Sequence, residues 1–182
     1  MIYWAEPFEL SEEDTKYLRD TYKTPEFRRE NGYYYTGYHH AAGSARRTSK
    51  SAGSWIDKRL IDIYTPVLKS ILTEHGLFSC DRKAIYSFQH IWAQIYTKEF
   101  GRGIGAHHHY PSHQNLISWI HFVDVPKEDC LYFEFESGKK IYPQPQRSGN
   151  LVFFPPWVMH GVEPVVSQED RVVVAGNVLR LK

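Results

Sequence analysis

The 182-residue chain lacks most of the features that classify a protein at a glance. It has only two cysteines, Cys80 and Cys130. They lie far apart with no CxxC neighbour, which excludes a disulfide framework and a thiolate zinc site and leaves both as buried free thiols. It has almost no net charge, 22 Lys and Arg against 21 Asp and Glu. Nothing global therefore draws it to nucleic acid or to an acidic membrane, and any charged partner has to be met locally. No segment approaches the roughly 18 apolar residues of a membrane span, and the opening MIYWAEPFELSEED shows no basic leader followed by an apolar stretch. A reducing cytoplasmic location follows by default. No internal repeat is visible. With 42% apolar and 15% aromatic residues, the chain can bury one substantial core, and residues 1–182 are read as a single domain.

What is present divides unevenly. Residues 1–84 read as a helical N-terminal part. LSEEDTKYLRDTYK has Ser11 as N-cap with Asp14 three residues on, and apolar positions at Leu10, Tyr17, Leu18 and Tyr22. SWIDKRLIDIYTPVLKSILTEHG carries Ile56, Leu60, Ile63, Tyr64, Val67, Ile71 and Leu72 at near-helical spacing and stops at Gly76. Pro66 behind a capping Thr65 makes this two short helices or one kinked one. Between them, residues 26–54 form a long loop rich in Gly, Ser, Arg and Tyr. Loops of that length are disordered or functional lids, and the Arg28, Arg29, Arg46, Arg47 and Lys50 cations suit a phosphate or acidic group.

Residues 85–182 read as strand after strand. AIYSFQHIWAQIY alternates, with His90, Trp92, Gln94 and Tyr96 on one face and Ile91, Ala93 and Ile95 on the other. NLISWIHFVDV, CLYFEFE, KKIYP, GNLVFF and RVVVAGNVLRL follow, separated by turn residues. Short strands without intervening helices argue for an antiparallel sandwich or small barrel with the helices packed outside.

The stretch GAHHHYPSH, residues 105–113, concentrates four of the ten histidines. On a strand, His107 and His109 share a face while His108 points away. Two imidazoles make half a metal site, and His160 in FFPPWVMHGV is the best third ligand, its direction fixed by Pro155-Pro156. Neutral imidazoles suit Fe(II), Zn, Cu or Ni. His108 and His113 are competing ligands; His39, His40, His75, His90 and His121 read as surface or wall residues. Trp92, Trp119, Tyr132 and the Tyr33-Tyr34-Tyr35 run line a pocket or, more commonly for barrel aromatics, fill a core.

With these residues in place, the C-terminal half resembles the 2-oxoglutarate and Fe(II)-dependent oxygenases, particularly a short branch found among phage and bacterial proteins. That superfamily carries a His-x-acid or His-x-His pair, a distal histidine, and an arginine about ten residues later. The matching residues are His107 and His109, His160, and Arg171. SGNLVFFPPWVMHGVEPV is similar to the branch's Gly-x-Leu-Val-x-Phe-Pro-x-Trp-x-x-His-x-Val-x-Pro stretch, and RVVVAGN keeps its arginine-to-asparagine spacing, ending at Asn177. The resemblance covers about residues 85–180.

It implies a mainly β fold, a double-stranded β-helix (jelly-roll or cupin-like barrel) with the N-terminal helices outside. It also implies a dioxygenase that uses Fe(II), 2-oxoglutarate and O2, with ascorbate as an optional reductant, and hydroxylates a substrate with release of succinate and CO2. His107, His109 and His160 would hold the metal. Arg171 would bind the far carboxylate of 2-oxoglutarate, because a guanidinium offers matched bidentate donors, and Tyr96 would donate a second hydrogen bond. The substrate would be a small molecule or a peptide residue; membrane and nucleic-acid partners are not implied, and a homodimer is left open.

Two positions depart from the family pattern. An Asp or Glu commonly stands where this chain has His109, and a Ser commonly stands where it has Val173. The strongest rival shares the architecture: GRGIGAHHH matches the cupin spacing of Gly, five residues, His-x-His, and GNLVFFPPWVMH matches most of the second cupin motif. Against a three-histidine cupin stand the absent glutamate after His-x-His, Trp157 at a usual glycine, and Arg171. A non-catalytic ligand-binding barrel is the third reading.

Overall fold

The computed structural model describes residues 2–29, 33–35, 57–78, 83–109, 114–126 and 128–181. Eleven strands and two helices are described. Seven strands form a large antiparallel sheet, in the order β1 (Trp4–Pro7), β9 (Asn150–Phe154), β6 (Asn115–Asp124), β11 (Arg171–Arg180), β4 (Tyr86–Tyr96), β3 (Tyr33–Tyr35) and β2 (Arg28–Arg29). Four more form a smaller sheet, in the order β5 (Ile104–His107), β10 (His160–Val162), β7 (Leu131–Glu134) and β8 (Lys140–Ile141). Helices α1 (Glu12–Tyr22) and α2 (Lys58–Glu74) cover the outer face of the large sheet.

Strand alternation sorts side chains into two cores. On β9, Leu151 and Phe153 face the helices while Val152 and Phe154 face the small sheet. On β11, Val172, Val174 and Val178 face the helices, and Val173 turns inward. The same alternation aims Arg171, Ala175 and Asn177 between the sheets. On β4, Ile91, Ala93 and Ile95 join the helix-side core, as the sequence pattern requires. Phe88 also lies there, although it is even-numbered like Trp92, because the β4–β11 register slips between Asn177↔His90 and Leu179↔Ser87. Such a bulge resets which face each side chain takes.

Both helices start at side-chain caps. Ser11 Oγ accepts the Asp14 N–H at 3.0 Å, and Asp57 accepts from the N–H groups of Arg59 and Leu60. The Pro66 segment is one helix from Lys58 to Glu74, with the proline inside it. Loss of one backbone hydrogen bond there is outweighed by tertiary packing: Leu60, Tyr64, Leu68 and Leu72 recur every four residues and are each at most 1% exposed. Past the C-cap His75, Gly76 adopts φ +65°, where a non-glycine residue would be strained. No helix of the described residues is long and apolar enough to cross a membrane.

The N-terminal part is less purely helical than its pattern predicts. β1 pairs with β9 along the edge of the large sheet, and residues 26–54 begin with a helical turn (Pro25–Phe27) and the short β2 and β3 strands, too brief to display a period. The remainder of that loop, including Arg46, Arg47 and Lys50, lies outside the described residues, as do Cys80, His39, His40 and His113. His121 is a correction: it is fully buried, neither a surface nor a wall residue. Its Nδ1 accepts from the Tyr64 hydroxyl at 2.6 Å and its Nε2–H donates to the Phe8 carbonyl at 2.7 Å. Burial pushes its pKa down to about 4, so it sits neutral beneath the helices.

Candidate metal centre

His107 ends β5 and pairs directly across from His160, which opens β10. Cross-strand register therefore brings together two residues more than fifty positions apart. His109 lies two residues past the strand end, where alternation no longer controls direction. Its backbone N–H donates to the Pro156 carbonyl at 2.9 Å, so the diproline turn that delivers His160 also anchors the segment carrying His109. The ring centroids of His107 and His160 are 4.5 Å apart, those of His109 and His160 4.9 Å, and those of His107 and His109 5.5 Å. One nitrogen from each lies within 4.8 Å of the others, close enough for a single divalent ion to be shared after small ring rotations.

The orientation of the rings is set by hydrogen bonds on their other side. Nδ1 of His107 is 3.0 Å from the Gly105 carbonyl, and Nδ1 of His160 is 2.9 Å from the Val158 carbonyl. Nδ1 of His109 is 2.9 Å from Asn177 Oδ1. A carbonyl oxygen only accepts, so each Nδ1 carries a proton, and in the neutral ring the lone pair is the one on Nε2. Asn177 Oδ1 also accepts from Ser118 Oγ at 2.8 Å and from Asn115 Nδ2 at 3.0 Å, which fixes it in turn. Burial, reinforced by the neighbouring histidines, lowers the His109 pKa and pushes that of His160 down to about 3. Features that a metal asks of imidazoles are present: an outer partner on each Nδ1, and burial that favours the neutral ring at His109 and His160.

The three histidines open onto a cleft of about 320 Å³ between the sheets. Trp92, Gln94 and Tyr96 of β4 line one wall, as their shared strand face predicts, with Ser118, Ile120, Phe154 and Ala175 beside them. Trp119 contributes to the wall although it packs in the helix-side core, whereas Tyr132 is buried away from the cleft. Gly176 permits this packing, since a Cβ there would stand 2.6 Å from the Trp119 ring. His108 also borders the cleft, because the strand that would have turned it away ends one residue earlier. Among the described residues that line it there is no carboxylate and no lysine or arginine.

Arg171 sits at the opposite end of the inward face of β11. It pairs in register with Tyr96, and its guanidinium carbon lies 5.7 Å from that ring's centroid. The side chain is fully buried and does not line the cleft. Its Nη1 donates to the Glu163 carbonyl at 2.9 Å, and its Nη2 donates to the Pro164 carbonyl at 3.3 Å and to Glu128 Oε1 at 2.6 Å. Its Nε is buried without a partner among the described residues. The Tyr96 hydroxyl, nearer the cleft, donates to Gln94 Oε1 at 2.7 Å.

Sequence reasoning singled out the three histidines but not the residues that support them. Asn177 entered only as the end of a spacing, and Ser118 and Glu128 not at all. Ser118 hides in an apolar strand, and Glu128 looks like any solvated charge in VPKEDC.

No family model and no curated protein matches the chain. Solved structures do. A prolyl hydroxylase from Trichoplax adhaerens, in complex with a hypoxia inducible factor peptide fragment, superposes with TM-score 0.62 at 14% identity over 98% of this chain and 82% of that one. HygX from Streptomyces hygroscopicus, with nickel, 2-oxoglutarate and hygromycin B bound, gives 0.55 at 10% identity over 98% and 83%. A Pseudomonas putida prolyl-4-hydroxylase gives 0.54 at 12% identity over 99% and 92%. This chain is built on the jelly-roll fold of those enzymes.

Proposed function

We propose that this chain is a non-haem Fe(II) and 2-oxoglutarate-dependent dioxygenase that hydroxylates a small molecule or a peptide residue with release of succinate and CO2. The observation that carries the reading is the convergence of three imidazoles, one ring nitrogen of each within 4.8 Å of the others and each Nδ1 hydrogen-bonded to an oxygen, at one end of a jelly-roll cleft. His107, His109 and His160 would hold Fe(II), leaving coordination positions open for the 2-oxo acid and O2, and the metal would supply the redox chemistry.

The chain's own residues would do the rest. Ser118 and Asn177 keep His109 aimed at the metal; Trp92 and Phe154 exclude water from the reacting end. Tyr96 and Arg171 would take the far carboxylate of the co-substrate. The buried, unpartnered Nε of Arg171 supports that role, because a polar hydrogen stripped of water calls for an acceptor. Cys130 stays out of the chemistry: burial lifts its thiol pKa to about 11 and leaves it protonated. A reducing cytoplasm suits both that thiol and ferrous iron.

A second reading, a cupin-type enzyme with a three-histidine metal, is favoured by the three imidazoles meeting with no carboxylate among the described cleft-lining residues. Anaerobic addition of Fe(II) and 2-oxoglutarate separates the two. The dioxygenase reading expects a weak visible charge-transfer band that vanishes in His160→Ala, and succinate once air is admitted. Metal binding without band or succinate would leave the cupin reading in its place.

A further inference from the structure

We propose that Glu128 is a built-in competitor for the co-substrate's far carboxylate, and that it holds the affinity of this site for 2-oxoglutarate low. The inference rests on the dioxygenase reading and concerns a residue that reading does not use.

Glu128 comes from the connection between β6 and β7 and reaches into the barrel, where its Oε1 meets Arg171 Nη2 at 2.6 Å. The arginine is fully enclosed and the glutamate side chain is 13% exposed, so little solvent screens the pair. The other charges nearby are spoken for. Glu163 is paired with Lys140 and accepts from the Tyr142 hydroxyl, and Asp129 accepts from Gln144. Behind Tyr96, which lines the cleft, therefore lies one buried cation already neutralised by one anion.

A dicarboxylate arriving at Arg171 would find the Nε donor, which has no partner among the described residues, but it would meet it with Glu128 already on Nη2 of the same guanidinium. Two carboxylates sharing one cation repel each other, and the repulsion is largest where water is excluded. Glu128 also helps hold Arg171 in place, since its Oε1 completes a set with the Glu163 and Pro164 carbonyls. Replacing it by glutamine separates the two effects, because an amide oxygen still accepts from Nη2 while the negative charge is gone.

The test is calorimetric titration of the intact chain, loaded with redox-inert Ni(II), with 2-oxoglutarate and separately with 2-oxopentanoate, which lacks the far carboxylate. Glu128→Gln is expected to bind 2-oxoglutarate about tenfold more tightly than wild type, the scale of one like-charge repulsion in a poorly screened site, while 2-oxopentanoate binds both proteins alike. Unchanged or weaker 2-oxoglutarate binding by folded Glu128→Gln overturns the proposal and leaves the dioxygenase reading standing. Equal tightening for both ligands also overturns it, since the effect would not be one of charge. Failure of 2-oxoglutarate to bind metal-loaded wild type and variant alike overturns the dioxygenase reading itself. If Glu128→Gln does not fold, Glu128→Asp, which withdraws the carboxylate by one methylene, is expected to tighten 2-oxoglutarate binding by a smaller factor; no change there overturns the proposal equally.

Discussion

The two ends of the inward face of β11 handle polar groups in opposite ways. At one end, Asn177 spends its acceptor on His109 and leaves the imidazole's other nitrogen free. At the other, Arg171 has its charge balanced by Glu128 and two of its nitrogens bonded to protein oxygens. At the first end the hydrogen bonds orient a ring; at the second they answer a buried charge. Two positions of one strand face thus differ in what their hydrogen bonds serve, the orientation of a neighbour or the satisfaction of a charge.

The contrast can be broken first at the metal end. His160→Ala removes the most buried of the three candidate ligands and should abolish stoichiometric metal binding, a loss of at least about a hundredfold given that even outer partners of ligands are worth 10- to 100-fold. Titration with Co(II), followed by its visible spectrum, reads this directly; near-normal affinity would remove His160 from the site.

At the other end the expected currency is stability. Arg171→Met strands the Glu128 carboxylate and should cost up to about 3–5 kcal/mol in urea unfolding, whereas the double variant Arg171→Met/Glu128→Leu should recover most of it. If the single variant is as stable as wild type, the pair does not hold the barrel end together.

A finer cut falls on the support of His109. Asn177→Ala should weaken metal binding by about 10- to 100-fold, and Asn177→Asp should restore it, because a carboxylate still accepts the Nδ1 proton. Equal losses in both would mean that Asn177 packs rather than orients.

The smallest effect is in pH. His121 titrates at about 4 in the fold, below the ordinary imidazole value of about 6.5, so the unfolded chain binds more protons between those limits. Its contribution to stability is whole above pH 6.5 and is lost as pH falls toward 4, at no more than about 1.4 kcal/mol per unit. His160, pushed down to about 3 in the metal-free protein, adds in the same direction. Urea midpoints of the metal-free protein should fall from pH 7 to pH 5, and less steeply in His121→Gln.

How much of this was legible in the sequence follows from which interactions are local. Period-two alternation identified the cleft face of β4 from Trp92 to Tyr96, and cap chemistry identified the start of α1 at Ser11. His107, His109 and His160 were found by spacing, yet the strand argument covers only His107, for β5 stops there and His109 is aimed by Pro156 and Asn177 from other parts of the chain. The continuity of α2 through Pro66 was not legible, because packing overrides a local breaker. Nor was the burial of His121, which depends on Tyr64 and Phe8 closing over it. Glu128 escaped for the same reason: only the fold reveals that a turn residue reaches an interior arginine.

The pairing of His107 with His160 has a consequence for motion. β5 is an edge strand, tied to its sheet through β10 alone, and this tie carries one metal candidate on each side. A bound ion would therefore act as a rivet through the last seam of the small sheet. Amide hydrogen exchange in residues 104–107 should slow when metal is added, far more than exchange in β11 at the middle of the large sheet, so the edge would report occupancy without any substrate being known.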